Sequence, residues 1–542
     1  MKLSFLLVFI LTILTYLFYP IYGLENDTFY QSVLSNGYFN SNPSPYLMFS
    51  NYYFGLGVNF LELISPSINW HSIILFITLI LSISYMFNNL YFSLKLNKKH
   101  SLLFFVVFVM LFTLPIINVS FTLVAVISCL AGLSYFYLEF ENKSFVKSKR
   151  LYISLGFIVL SALIRFEAML YTGLLLSGPF FFKILISKYD KRVLFFRLFI
   201  VSAIILTTTL TLELLSIRSY NENPNWEHFL DFNKKRAAFY DYSNSFEGGT
   251  NDFNIKVNKD ASLISQSFHY HKDLLDINNI PTNTNKSKKS FELEKIFHFA
   301  KDFLLDIVIS KEFLFIVLLL VSFKLYGQIN LIFVLSSIFY VGVIYVTTSL
   351  IFKQVGFRLH YGIFLVLMLI VLELFKNTSI TKPNLLFTWS LVFLFGYSVM
   401  ETYASSTTRK YRAQGISQEM RSLFSDSSKT YFSHGSALPF EWLSPFSNKD
   451  YLENANLIPG TYLTTVHPWF HQINNGEFNL LKDDLYYISH NFIWNKEMIE
   501  KSKNHPLEIK NYIEYKYDVE VKIKKIKKEN RFKVVRFVTQ KN

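Results

Sequence analysis

Long apolar runs organise this chain. Stretches of about 17 to 25 residues, nearly free of charge, recur along it, and that is the length an α-helix needs to cross the hydrocarbon core of a bilayer. They lie at about 3–22, 70–92, 101–117, 120–138, 151–165, 168–187, 198–216, 305–325, 329–351, 359–375 and 385–402. In lipid, every backbone polar group must be bonded within the structure that crosses, so eleven such runs point to an all-α polytopic membrane protein. Charge content agrees. Only 17% of the 542 residues are charged, against roughly 25% in a soluble chain.

Loop charge sets the orientation. The first loop, 24–69, contains no Lys or Arg. The segments "ENKSFVKSKR" and "SKYDKRVLFFR" are strongly basic, with Lys143, Lys147, Lys149, Arg150, Lys188, Lys191 and Arg192. Basic loops stay on the cytoplasmic side, so an even number of crossings must separate these two. The run between them is therefore a hairpin, with Arg165 and Glu167 at its outer turn. The whole pattern is N-in and C-out, with the first run an uncleaved helix. The net charge of +14 is a loop property of this kind and implies no nucleic-acid partner.

A transmembrane region, 1–402, results, with exterior loops at 24–69 and 217–304. The tail 403–542 is long enough for a small exterior α/β domain. Near its end, "VEVKIKKIKKENRFKVVRFV" alternates apolar and basic residues around "KEN". That period of two is a β-hairpin with one wet basic face, and contact with anionic lipid is one use for such a face. The single cysteine, Cys129, lies inside an apolar run, so no disulfide forms within the chain.

The chemistry candidates sit in the exterior turns. Glu25 and Asp27 follow the first run directly. Phe29, Val33 and Leu34 can then share one face of a short helix that stops at Gly37, and the two acids could equally serve as its N-terminal caps. "NYYFGLGVNFLELI" suits a helix lying in the membrane interface. Two other turns carry isolated charge: "LIRFEAML" holds Arg165 and Glu167, and "IFKQVGFRLHYG" holds Lys353, Arg358 and His360. A guanidinium is a planar fork suited to phosphate. In the second exterior block Trp226, Phe229 and Phe232 recur at helical spacing, followed by Arg236 and Asp241. Aromatic and charged groups there suit a sugar acceptor, and the same spacing suits an amphipathic cap packed on the bundle.

In this layout the chain resembles the GT-C superfamily of integral membrane glycosyltransferases. The likeness rests on the many spans, the first exterior loop with interfacial helices, an acid just after the first span, and a soluble exterior tail. It implies transfer of a sugar from a polyprenyl-phosphate donor to an envelope glycan or lipid acceptor at the outer face of the cell membrane. Asp27 would be the general base and Glu25 its helper. Arg165 and Arg358, with Lys353 and His360, would hold the donor phosphate, while Glu167, Trp226, Arg236 and Asp241 would face the acceptor. Many members have adjacent acids after the first span; here Asn26 separates them. The resemblance fixes no cofactor, and use of a divalent metal ion stays open.

No GxGxxG, Walker loop or CxxC is present, and "HPWFHQ" lacks the acid of an HExxH zinc helix. A polymerase or ligase of lipid-linked polysaccharide units is the alternative enzyme; it would depend on Arg165 and Arg236 more than on Asp27. A transporter or flippase predicts ionisable residues deep in the spans, which these runs nearly lack.

Overall fold

The computed structural model describes residues 2–18, 22–23, 26–38, 41–94, 112–142, 145, 148–240, 331–352 and 357–373, with shorter stretches of 389–400 and 415–539. The expected spans 101–117 (apart from its end) and 305–325, and most of 385–402, lie outside these residues. The described chain is mostly helical, with a small sheet. Its helices are α1 (Lys2–Phe18), α2 (Asn26–Asn36), α3 (Tyr52–Ile64), α4 (Trp70–Leu94), α5 (Thr113–Ile117), α6 (Phe121–Glu139), α7 (Lys149–Ile164), α8 (Phe166–Ile186), α9 (Lys191–Asn221), α10 (Pro224–Tyr240), α11 (Leu331–Phe352) and α12 (Phe357–Glu373). Four of them, α4, α6, α8 and α9, are long and apolar enough to cross a membrane.

α6 is the central post. Seventeen of its nineteen residues are buried. α7 runs antiparallel to it: the Ser161 hydroxyl donates to the Ala125 carbonyl (2.6 Å), and Ser128 to Phe157 (2.9 Å). Gly132 makes the close approach possible, since a Cβ there would fall 2.5 Å from the Ser154 carbonyl oxygen. α8 runs parallel to α6, because Arg165 bonds Thr122, Tyr137 packs on Phe180 (5.1 Å) and Ser187 bonds Glu141 (2.6 Å). Helices antiparallel and parallel to one post are antiparallel to each other. The expected hairpin is therefore present, and its turn is a single extended residue, Arg165 (φ −159°, ψ 105°), which ends α7 and begins α8.

These contacts sort the chain into two ends. One gathers the 24–69 loop, the start of α6, the Arg165 turn and the end of α9. There Asn51 bonds Leu163 (3.0 Å), and Tyr52 bonds the Ser216 hydroxyl (2.8 Å). A two-residue parallel bridge adds the exit of α1 to this end, with β1 (Tyr22–Gly23) paired to β2 (Asn118–Val119). The other end holds the basic segments, where Arg197 donates to the Phe140 and Asn142 carbonyls at 3.3 and 3.2 Å.

The tail holds a five-stranded mixed sheet of order β4-β3-β5-β7-β6. Its strands are β3 (Thr430–His434), β4 (Leu457–Gly460), β5 (Leu485–His490), β6 (Val521–Lys528) and β7 (Phe532–Thr539). β4, β3 and β5 are parallel, and β6–β7 is the antiparallel hairpin expected around "KEN". A helical stretch over 415–424 packs Phe424 edge-on to Tyr431 (5.5 Å), giving this part its α/β character.

Candidate functional site

The first loop holds the expected short helix, and Gly37 stops it at φ +67°. Phe29, Val33 and Leu34 are buried, but so are Tyr30, Gln31, Ser32 and Ser35, so α2 is enclosed all round rather than on one face. α3 begins at Asn51, whose side-chain oxygen accepts from Tyr53 N–H at 3.1 Å. It buries Phe54, Val58 and Glu62 and turns Leu56, Phe60, Leu63 and Ile64 outward, the apolar face an interfacial helix requires.

Beneath these helices runs a buried polar chain. The fully buried His71 ring lies 3.0 Å from the Gln31 side-chain oxygen and 3.1 Å from the Ser32 hydroxyl. Gln31 is oriented by its other bonds: its amide donates to the Met48 carbonyl and to the Ser50 hydroxyl (3.0 Å). With the Gln31 oxygen facing the ring, the hydrogen-bond pattern assigns the proton to His71 Nε2. Ser50 in turn donates to the Ile164 carbonyl at 2.8 Å, one residue before Arg165. Tyr220 donates to the Leu47 carbonyl at 2.6 Å and the Ser50 carbonyl at 3.3 Å.

This clamp holds Phe49 at φ +62°. A left-handed conformation costs a non-glycine residue roughly 1–2 kcal/mol, and strain of that kind concentrates at functional sites. Here it sets the Phe49 ring 5.7 Å from the Arg165 guanidinium, with Phe121 at 5.0 Å. Arg165 also donates to the Thr122 hydroxyl and lies 3.9 Å from Glu167. Its side chain is 24% exposed and that of Glu167 72%. The guanidinium is thus fixed between two rings yet reaches solvent.

Asp27 sits half-buried in the first turn of α2. The adjoining Thr28 hydroxyl accepts from Phe121 N–H at 3.4 Å. Thr28, next to Asp27 in the chain, and Arg165 thus meet the adjacent residues Phe121 and Thr122 at the start of α6. A second acid, Glu213, lies on the α9 side. The Asn51 amide donates to it at 3.3 Å.

The remaining candidates divide. Trp226 is 3% exposed; its ring stacks on Tyr46 (5.3 Å) and meets Tyr220 and Phe229 edge-on (both 5.6 Å). With Phe229 and Phe232 also buried, α10 is an amphipathic helix packed over the loop. Arg236 lies on α10, and Arg358 and His360 on the first turn of α12; only their backbone is described. Gly362, four residues after Arg358, packs against Val126, which brings the first turns of α12 beside the loop-end half of α6. Glu25, Lys353 and Asp241 lie outside the described residues. Among the described residues no group of three or more His, Cys, Asp or Glu is placed to hold a metal ion.

Sequence reasoning missed Gln31, Phe49, Asn51, His71, Thr122 and Glu213. Only Glu213 carried a readable signal, an acid inside an apolar run, which points to a site by default. Compared with known proteins, the chain matches no family model, no curated protein and no solved structure.

Proposed function

We propose that the chain is a membrane glycosyltransferase moving a sugar from a polyprenyl-phosphate donor to an envelope glycan or lipid acceptor. In this reading it crosses the cell membrane about eleven times, N-in and C-out, and works at its exterior face. The observation that carries the reading is the Arg165 guanidinium, 5.7 Å from the Phe49 ring and 5.0 Å from the Phe121 ring on a partly exposed side chain, at the start of α6 where Thr28, next to Asp27, also bonds. A guanidinium fixed in this way offers parallel N–H donors to a phosphate without reorganising. Asp27 takes the proton of the acceptor hydroxyl as the new bond forms at the anomeric carbon. The bond from that carbon to the phosphate oxygen breaks, and its electron pair leaves on the phosphate. Arg165, with Arg358, Lys353 and His360, stabilises that charge. One displacement inverts the configuration.

The half-buried arginine at this turn also favours a second reading, a polymerase or ligase of lipid-linked polysaccharide units. The two separate on Asp27. Envelope glycans are compared by mass spectrometry in wild type, a deletion strain, Asp27→Asn and Arg165→Lys at matched expression. The first reading expects the deletion and both variants to lose the same sugar. Loss in Arg165→Lys alone moves the polymerase or ligase forward. Unchanged glycans in the deletion strain refute both.

A further inference from the structure

The tail sheet reverses its winding at its centre. From β3 the chain passes to β4 on one side, and from β5 it passes to β6 on the other. β4, β3 and β5 are parallel. β6 is parallel to them too, because it and β5 both run antiparallel to β7. The adjacent strands β3 and β5 therefore send the chain in opposite directions from the same end of the sheet. In open sheets of parallel strands, such a switch leaves a crevice beyond the two carboxyl ends, and ligands bind there.

Both strands end at this crevice with the same two residues. β3 closes on Ser433 and His434, and Gly435 and Ser436 follow; β5 closes on Ser489 and His490, and Asn491 follows. Ser433 and Ser489 are buried, so the residues that reach the crevice are the two histidines and those after them. The register that pairs Phe432 with Tyr487 puts His434 level with Ser489, one position short of His490. Ring contacts agree with it: Phe432 meets Tyr487 at 5.3 Å, and Tyr431 meets Tyr486 at 6.0 Å. Successive residues of a strand alternate between faces. His434 therefore shares the Phe432 face and His490 the Tyr486 face, so the two histidines flank the crevice from opposite sides of the sheet.

The chemistry of these ends is one-sided. "SHGS" and "SHN" contain no carboxylate, whereas Ca²⁺ and Mg²⁺ are held by acidic oxygens. Zinc would need both imidazoles to converge on one point, and their positions on opposite faces oppose that. What the ends supply is donors: imidazole and backbone N–H, hydroxyl and carboxamide. Gly435 directly follows the first strand of the sheet, where a residue without Cβ lets the backbone approach a phosphate closely. We infer that the crevice beyond His434 and His490 binds a phosphate group, with one histidine contributed from each face. The group can belong to a free phosphate compound or to a phosphorylated lipid of the membrane. The inference does not rest on the transferase reading, whose residues lie elsewhere in the chain.

Histidine carbethoxylation at constant pH, mapped by mass spectrometry on the full chain in phosphatidylcholine nanodiscs, tests it. His228, exposed on α10, is the reference site. Inorganic pyrophosphate should slow modification of His434 and His490 several-fold and leave His228 unchanged. His434→Gln should unfold at nearly the wild-type temperature and weaken the protection of His490. Protection by pyrophosphate assigns the site to a free phosphate compound. Protection only when polyprenyl phosphate is built into the disc assigns it to a lipid, and both outcomes support the inference. Three results overturn it: His434 and His490 unreactive without ligand, since no crevice is then open; protection by neither phosphate; or protection by Zn²⁺ alone, which would make this a metal site.

Discussion

The side-chain amide of Asn51 donates to the Glu213 carboxylate at 3.3 Å and to the neighbouring Leu212 carbonyl at 3.0 Å. Its backbone N–H donates to Leu163 at 3.0 Å, and its side-chain oxygen caps α3. One residue thus ties the first loop to α7, α9 and its own helix. It is 4% exposed, so none of these bonds can be exchanged for water without opening the loop.

Asn51→Ala should therefore cost about 2–3 kcal/mol, a lost cap together with buried groups left unpaired. Asn51→Ser keeps the cap but cannot reach α9, and should lose about half as much. Unfolding in detergent, followed by circular dichroism, measures both. A loss under about 0.5 kcal/mol in the alanine variant would mean that the bridge is not what fastens the loop.

Much of this architecture is legible in the sequence, for identifiable reasons. The hairpin tip at Arg165 follows from two basic loops and parity. α2 and α3 follow from apolar spacing ended by Gly37 and begun near Asn51, and the β6–β7 hairpin from its period of two. What escapes is whatever depends on long-range partners. The strands "LIPG" and "TYFSH" are too short to carry a period, and the β1–β2 bridge is two residues long. Gln31 and His71 read as ordinary polar residues near a helix end. Only packing brings them together, 40 positions apart in sequence, into the relay that holds the 47–50 turn.

The setting of Arg165 implies that charge alone will not replace it. Arg165→Lys keeps the positive charge but loses the planar group lying between Phe49 and Phe121 and the fork that reaches Thr122. Under the proposed function, its glycan product should fall at least tenfold. Thermal stability should fall by only about 1–2 kcal/mol, since the site is partly open. Glycan mass spectrometry beside thermal unfolding gives both values. Product at the wild-type level would remove Arg165 from the donor site.

Phe49 offers a test of strain that reverses the usual order of substitutions. At a right-handed or extended position, alanine is at least as stable as glycine. At φ +62° the Cβ itself is penalised, so Phe49→Gly should be about 1 kcal/mol more stable than Phe49→Ala. Both lose the ring against Arg165 and should lose product to the same degree. If alanine proves the more stable in detergent unfolding, the 47–50 turn does not hold a left-handed residue.

Glu62 makes the loop sensitive to pH. The residue is 2% exposed, on the inner face of α3; one carboxylate oxygen accepts from Trp70 N–H at 3.1 Å, and the other has no hydrogen-bond partner among the described residues. Burial pushes its pKa from the usual 4.5 to about 7, against the smaller opposing effect of the Trp70 bond. The folded chain therefore holds this proton more tightly than the unfolded chain does. Where the folded state binds more protons, stability falls as pH rises, so the loss begins near pH 4.5 and is complete just above pH 7. Its full extent is about 3 kcal/mol. Glu62→Gln keeps an acceptor for Trp70 and carries no charge, so it should unfold like the wild type at pH 4.5 and be the more stable protein at pH 8. Other carboxylates titrate in both proteins and cancel in the difference. Thermal unfolding of the pair across this range measures it, and a difference that stays constant from pH 4.5 to pH 8 would mean that Glu62 is ionised throughout and reaches water.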